Sequence, residues 1–196
     1  MKEGFFAASL AFALGLPLAA QVAHLQRAEE IVGGRCFLCH GMEGEAASAL
    51  YPRLAGQNAD YIARQLGDFK SGRRKSETMA GMVDELTPEE MKSLGAFFQK
   101  KPATRSEAGD ADLAGVGRYI FVKGNPFSGV AACVSCHGTK GHGTPQLPRL
   151  AGQQPLYLEN QLKQFNTRER NNDNAVMHSI ASKLTELEVK AVSSYL

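Results

Sequence analysis

The chain has no tryptophan, only four cysteines in 196 residues, and a net charge of only +2. Each scarcity excludes something. With 22 basic against 20 acidic side chains there is no cationic surplus to hold nucleic acid. The longest run of like charge is Arg73–Arg74–Lys75, and three basic residues together read as a solvated loop. No stretch alternates apolar and polar residues convincingly enough to make a strand. The chain holds one long apolar run, Phe5 to Ala20, which is 16 residues and is broken by Pro17. A spanning helix needs about 20 apolar residues. With Lys2 ahead of it, the run resembles a secretory signal peptide over residues 1–20, cleaved near Ala20. Leu18 is large for the position two before that cut, so retention as a membrane anchor stays open. Either way the rest of the chain is exported.

All four cysteines sit in two pentapeptides, "CFLCH" at 36–40 and "CVSCH" at 133–137, an offset of 97. The flanking sequence repeats with them. "PRLAGQ" at 52–57 recurs unchanged at 148–153, and "YIARQLGDF" at 61–69 matches "YLENQLKQF" at 157–165. "MAGMVDELT" at 79–87 matches "MHSIASKLT" at 177–185. The chain is therefore a tandem duplication, and two repeats of this length are two domains rather than a solenoid. The spacing gives an N-terminal domain over 21–98, a linker over 99–111 and a C-terminal domain over 112–196. The linker is polar, carries Pro102 and Gly109, and has no apolar period.

Each repeat predicts the same helices. "DADLAGVGRYIFVKG" puts Leu113, Val116, Ile120 and Phe121 on one face, with Gly124 suited to the end. A second helix covers about 58–70 and 154–167, where Ile62, Leu66 and Phe69 match Leu158, Leu162 and Phe165. The last helix opens on a capping box in both halves: Thr87 with Glu90, and Thr185 with Glu188. Pro88 fits the first helical position, where no N–H partner is lost. Met91, Leu94 and Phe98 then face inward, as do Val189, Val192 and Leu196. About 80 residues per unit bury only a modest core, so a rigid apolar group inside each would add what the side chains lack.

C-x-x-C-H is the attachment signature of c-type haem. Two thiols three positions apart reach two vinyl groups and form thioethers, and the next residue then lies under the macrocycle. Cys36 and Cys39 are expected to hold one haem with His40 on its iron; Cys133, Cys136 and His137 are expected to hold the other. A redox dithiol leaves the histidines unexplained. So does zinc, which needs four ligands per site. The sixth ligand separates an electron carrier from an enzyme with an open iron, and Met there raises the potential. After residue 103 the one methionine is Met177. The repeat aligns it with Met79, each seven residues before the Leu of the "LT" pair. Met82 aligns with Ile180 and reads as core; Met42 is too near His40, and Met91 faces inward on a helix. His24, His142 and His178 are the competing imidazoles. His178, beside Met177, is the real rival, but its counterpart in the first repeat is Ala80. An axial histidine is normally fixed through its other ring nitrogen, and the carbonyls of Pro52 and Pro148 are the candidate acceptors. Arg53 and Arg149 are candidates for pairing with haem propionates, or else are solvated turn arginines. Tyr61, Tyr157, Gln65 and Gln161 are weaker candidates for the same role.

As a set, the two C-x-x-C-H motifs, the duplicated "PRLAGQ", the Y-x-x-x-Q-L helices and the methionines ahead of "LT" resemble the dihaem two-domain bacterial cytochromes c of the cytochrome c4 type. The resemblance covers nearly the whole chain after the N-terminal run. It implies an all-α fold of two tandem class I cytochrome c domains, related by a pseudo-two-fold axis, with His/Met iron in each. It implies a periplasmic electron carrier, not an enzyme, often delivering to a terminal haem–copper oxidase and commonly membrane-associated. A quinol-oxidising complex is the kind of donor expected. Two other roles remain open: the dihaem subunit of a dehydrogenase complex such as a flavocytochrome, and a dihaem oxidising enzyme.

Overall fold

Helix ends and helix faces are set by local chemistry, and the two repeats set them alike. The computed structural model describes residues 18–103 and 110–196. The first repeat carries α1 (Leu18–Ile31), α2 (Phe37–His40), α3 (Ala59–Lys70), α4 (Glu77–Val83) and α5 (Pro88–Gln99). The second carries α6 (Ala111–Lys123), α7 (Val134–His137), α8 (Pro155–Thr167), α9 (Val176–Ala181) and α10 (Glu186–Tyr195). Among the described residues the one β feature is an isolated antiparallel bridge between Asn125 and Val130. In both halves the last helix is the hub. α5 packs against α1 and α3, and α10 packs against α6 and α8.

Both predicted capping boxes are present. Thr87 Oγ1 accepts from the Glu90 N–H and Glu90 accepts from the Thr87 N–H, and Thr185 and Glu188 repeat the exchange. Each box satisfies two N–H groups that the first turn leaves unpaired. In α5 the buried face includes Met91, Leu94 and Phe98, and in α10 it includes Val189 and Val192, as the spacing predicts. On α6 the expected face is partly wrong. Val116 is 46% exposed, while Gly117, Ile120 and Phe121 are buried. The reason is a close helix crossing. A Cβ on Gly117 would collide with the Ala191 carbonyl and come within 2.9 Å of the Tyr195 side chain, so α10 lies against bare backbone there. Gly95 on α5 plays a similar part against the Ala59 carbonyl of α3. A face built on a glycine is invisible to hydrophobic periodicity.

The approach to the two pentapeptides differs. In the first repeat α1 passes through a π-helical turn, Val32–Cys36, directly into α2. In the second, Gly124 ends α6, and residues 124–132 make a detour closed by the Asn125–Val130 bridge before α7. The change of offset from 97 to 96 falls after the pentapeptides: His40 and Pro52 are 12 positions apart, His137 and Pro148 are 11.

The hexapeptide "PRLAGQ" ties each half together and then ties the halves to each other. Gly56 N donates to Phe98 O at 2.9 Å, and Gly152 N donates to Leu196 O at 2.6 Å. Leu54 and Ala55 both donate to Gly44 O, as Leu150 and Ala151 do to Gly141 O. Gly44 and Gly141 have φ of 79° and 64°, a region that glycine enters without steric cost. The glutamines then cross the junction. Gln57 Oε1 accepts from Arg149 N at 2.7 Å while its Nε2 donates to Arg149 O at 2.9 Å. Gln153 makes the same pair of bonds with Arg53, at 2.7 and 2.9 Å. Two reciprocal contacts of equal length are the local expression of a pseudo-two-fold axis.

Candidate haem sites

His40 and His137 close the short helices α2 and α7, and both are buried. His40 Nδ1 lies 3.0 Å from Pro52 O, and His137 Nδ1 lies 3.1 Å from Pro148 O. A carbonyl only accepts, so Nδ1 carries the proton and donates. The lone pair is left on Nε2, the nitrogen available to a metal. Burial holds both imidazoles below their usual pKa, against the smaller opposing effect of the proline carbonyls. The rings are therefore neutral, oriented bases. The edge of the Tyr51 ring lies against His40, with centroids 6.3 Å apart.

All four cysteines are free thiols. Burial pushes the Cys36 and Cys133 thiols above their ordinary pKa. Cys36 and Cys133 are therefore held as protonated thiols outside any disulfide, the state required for addition to a vinyl group. Among the described residues no cluster of His, Cys, Asp and Glu could hold a bare metal ion. Two thiols and one imidazole per half suit a porphyrin attached covalently, and they fall short of the four ligands that zinc takes.

Met79 and Met177 occupy equivalent short helices, α4 and α9, and both are half-buried. Met79 packs against the core of its half, as Leu66 and Cys36 also do. Ser76 caps α4 by accepting from Met79 N at 3.3 Å. Met91 is buried and Met42 is 42% exposed, as expected of residues with no ligand role. Met82 differs from its sequence reading, being 39% exposed rather than core. Met79 and the buried Val83, four positions apart, take the inward face of α4, and Met82 falls beside it. Of the rival imidazoles, His24 and His142 are exposed, and His178 Nδ1 sits 2.9 Å from Phe165 O.

The polar residues near the junction are arranged differently from the sequence reading. Arg53 Nη1 donates to Gly152 O at 2.7 Å and Arg149 Nε donates to Ala151 O at 3.0 Å, so both reach backbone in the second half. In both halves the arginine at the second position of "PRLAGQ" thus holds backbone. Tyr61, Gln65, Tyr157 and Gln161 surround two arginines, one from each repeat. Arg74 Nη2 donates to Tyr157 Oη at 2.9 Å and Gln161 Oε1 at 2.8 Å, while its Nη1 donates to Gln65 Oε1 at 2.9 Å. Arg170 Nη2 donates to Tyr61 Oη and Gln65 Oε1, both at 3.0 Å, while its Nη1 donates to Gln161 Oε1 at 2.6 Å. Each guanidinium also stacks over a phenylalanine of its own half, Phe69 at 4.6 Å and Phe165 at 4.5 Å. The run 73–75 is therefore more than a solvated loop. Arg74 and Arg170 are at offset 96, the same as Tyr61 and Tyr157, and that alignment is the signal that would have found them.

The comparisons with known proteins agree with this geometry. The family model described as "Cytochrome c" matches residues 121–196. A cytochrome c4 of Thiocapsa roseopersicina is 40% identical over 91% of this chain and 94% of its own length. A protein of Stutzerimonas stutzeri named thiosulfate dehydrogenase electron acceptor is 38% identical over 82% of this chain and 76% of its own length. The crystal structure of reduced recombinant cytochrome c4 from Pseudomonas stutzeri superposes with a TM-score of 0.82 at 32% identity, covering 87% of this chain and 96% of that one.

Proposed function

The chain belongs to the cytochrome c4 family, whose members are electron carriers rather than enzymes, and we propose that it holds two haem c groups and moves single electrons between periplasmic redox proteins. The observation that carries this reading is the duplicated imidazole: His40 and His137, each directly after C-x-x-C, each buried, each with Nδ1 on a proline carbonyl. The haem-binding units are residues 21–98 and 112–196. Gln99 ending α5 and Asp110 capping α6 support a linker over 99–111, of which 104–109 lie outside the described residues.

Cys36 and Cys39 would hold the first haem by thioethers and His40 by Nε2; Cys133, Cys136 and His137 would hold the second. Met79 and Met177 are assigned as the opposite ligands, because the repeat aligns them on equivalent helices. Bound there, haem supplies a one-electron couple that a methionine ligand places at high potential. The protein's part is to fix both imidazoles in one tautomer and to keep water and exogenous ligands away from them. Pro52 and Pro148 do the first through their carbonyls. Arg53 and Arg149, at the junction, are assigned to the surroundings of the propionates.

Residues 1–20 are assigned as the export signal that takes the chain to the periplasm; residues 1–17 lie outside the described residues. Among the described residues no helix is long and apolar enough to cross a membrane. A quinol-oxidising complex as donor and a terminal haem–copper oxidase as acceptor follow from the family resemblance. The 38% identical relative named for thiosulfate dehydrogenase favours a second donor of that kind. Rapid mixing of the oxidised protein with each donor separates the two.

The test of the central reading is haem content and spin state. Two covalently attached haems per chain, both low-spin and slow to bind cyanide, are expected. One haem, or a high-spin ferric site that binds cyanide rapidly without denaturant, contradicts it.

A further inference from the structure

Arg170 is 7% exposed, and Arg74 meets it across the junction on shared acceptors. Gln65 Oε1 accepts from both guanidinium groups, and so does Gln161 Oε1. Among the described residues neither arginine forms an ion pair. The buried carboxylate of Asp68 is bonded elsewhere: to Arg73 Nη2 at 2.7 Å and Asn172 Nδ2 at 2.7 Å, with Gln65 Nε2 at 3.5 Å. Arg170 Nε donates to the neutral Asn172 Oδ1 at 3.1 Å. Two like charges thus meet at one site, Arg170 buried and Arg74 half-exposed; their hydrogen bonds go to amide oxygens and phenols, and the one carboxylate that acts on Arg170 through space is Asp173. A buried charge is costly unless it is paired.

The hydrogen bonds point the same way. Each arginine has five N–H donors and no acceptor. Tyr61 Oη and Tyr157 Oη each accept from an arginine, and neither phenol hydrogen has an acceptor among the described residues. The cluster is rich in donors and poor in acceptors. The ligand it fits is one that only accepts and is negative: a carboxylate from each side. A porphyrin brings two propionate carboxylates, and each half of this chain provides for one porphyrin.

We infer that Arg74 and Arg170 form one shared cationic receptor at the junction, that propionate carboxylates from both halves are its counter-charges, and that the pair therefore sets the potential of both haems together. The inference rests on the reading that two haems c are bound. It makes the two arginines positioning residues that act through charge. Both are contributed in trans: Arg74 is held by Tyr157 and Gln161, and Arg170 by Tyr61 and Gln65.

The test is potentiometry of the intact holoprotein carrying Arg74→Gln, Arg170→Gln or Arg170→Lys, after haem content and low-spin character have been measured. Fewer than two haems in the unmodified protein is failure of the underlying reading, not of this inference. With two haems present, each Gln variant is expected to lower both midpoint potentials. The expected size is about tenfold in each oxidised-to-reduced ratio, which is about 59 mV for a one-electron couple. Arg170→Lys keeps the charge and is expected to restore most of the shift. If only one site moves, or neither, or if the Lys variant falls as far as the Gln variant, the inference is overturned. Should Arg170→Gln fail to retain haem, the half-exposed Arg74→Gln decides alone by the same criterion. A free oxyanion from solvent is the other source of negative charge, and sulfate titration distinguishes it. Potentials insensitive to sulfate at constant ionic strength support the propionates; potentials that follow sulfate overturn them.

Discussion

Gln57 of one half and Arg149 of the other exchange two hydrogen bonds, side chain to backbone, at 2.7 and 2.9 Å. Gln57 is buried, and so is Gln153, which makes the matching exchange with Arg53. Each glutamine satisfies one N–H and one carbonyl of the opposite hexapeptide. The junction is thereby built from the same hexapeptides whose proline carbonyls orient His40 and His137, so docking of the halves and alignment of the imidazoles are one structure.

Gln57→Ala leaves that N–H and that carbonyl unpaired. The expected loss is about 1–3 kcal/mol for unsatisfied buried groups, read as a lower midpoint in urea or heat. Gln57→Glu keeps the acceptor but sets a carboxylate oxygen against the Arg149 carbonyl, so it is expected to be no better than alanine. If either variant unfolds like the unmodified protein, the glutamine exchange contributes nothing to docking.

Gly117→Ala is expected to damage the second half selectively. The added methyl would meet the Ala191 carbonyl and the Tyr195 side chain. Overpacking of a tight contact costs about 1–3 kcal/mol, and here backbone must move. Haem retained at Cys133 and Cys136 should fall while that at Cys36 and Cys39 stays. Mass spectrometry of proteolytic fragments reads the two sites separately.

The capping carboxylates predict an acid limb. Glu90 and Glu188 are both held below the usual carboxylate range, first by hydrogen bonds from the Thr87 and Thr185 N–H groups. A carboxylate whose folded pKa is depressed stabilises the fold fully above its unfolded pKa, and that contribution is lost as pH falls through the folded value. Stability is expected to drop on acidification below about 4.5. Glu188→Gln, read as unfolding midpoint against pH, should be less stable at neutral pH and flatter below 4.5. A variant with the full acid slope would assign that slope to other groups.

Much of this was legible in the residues. The haem histidines, their proline carbonyls and both capping boxes follow from spacing and from donor–acceptor chemistry, which are local. The junction was not legible in the same way. Gln57, Gln153, Arg74 and Arg170 gain their meaning from residues 83 to 109 positions away, at separations no periodicity reports. Only their presence in both repeats marks them. Val116 and Met82 were misjudged because a face is decided by what crosses it: the bare backbone of Gly117 on α6, and the pairing of Met79 with Val83 on α4.

Replacing Met79 by His is expected to lower the potential of the first haem alone and leave it low-spin, since imidazole is a strong ligand that favours the ferric state. Met177→His should do the same to the second. A high-spin product, or a potential that stays put, would remove that methionine from the iron.

The most direct measurement is a proton NMR spectrum of the fully reduced protein. A thioether methyl held against the face of a porphyrin is shifted far upfield by the ring current. Two such three-proton signals are expected, one lost in Met79→Ala and the other in Met177→Ala. A single upfield methyl, none, or a pair that survives both substitutions would contradict ligation of the two irons by His40 with Met79 and His137 with Met177.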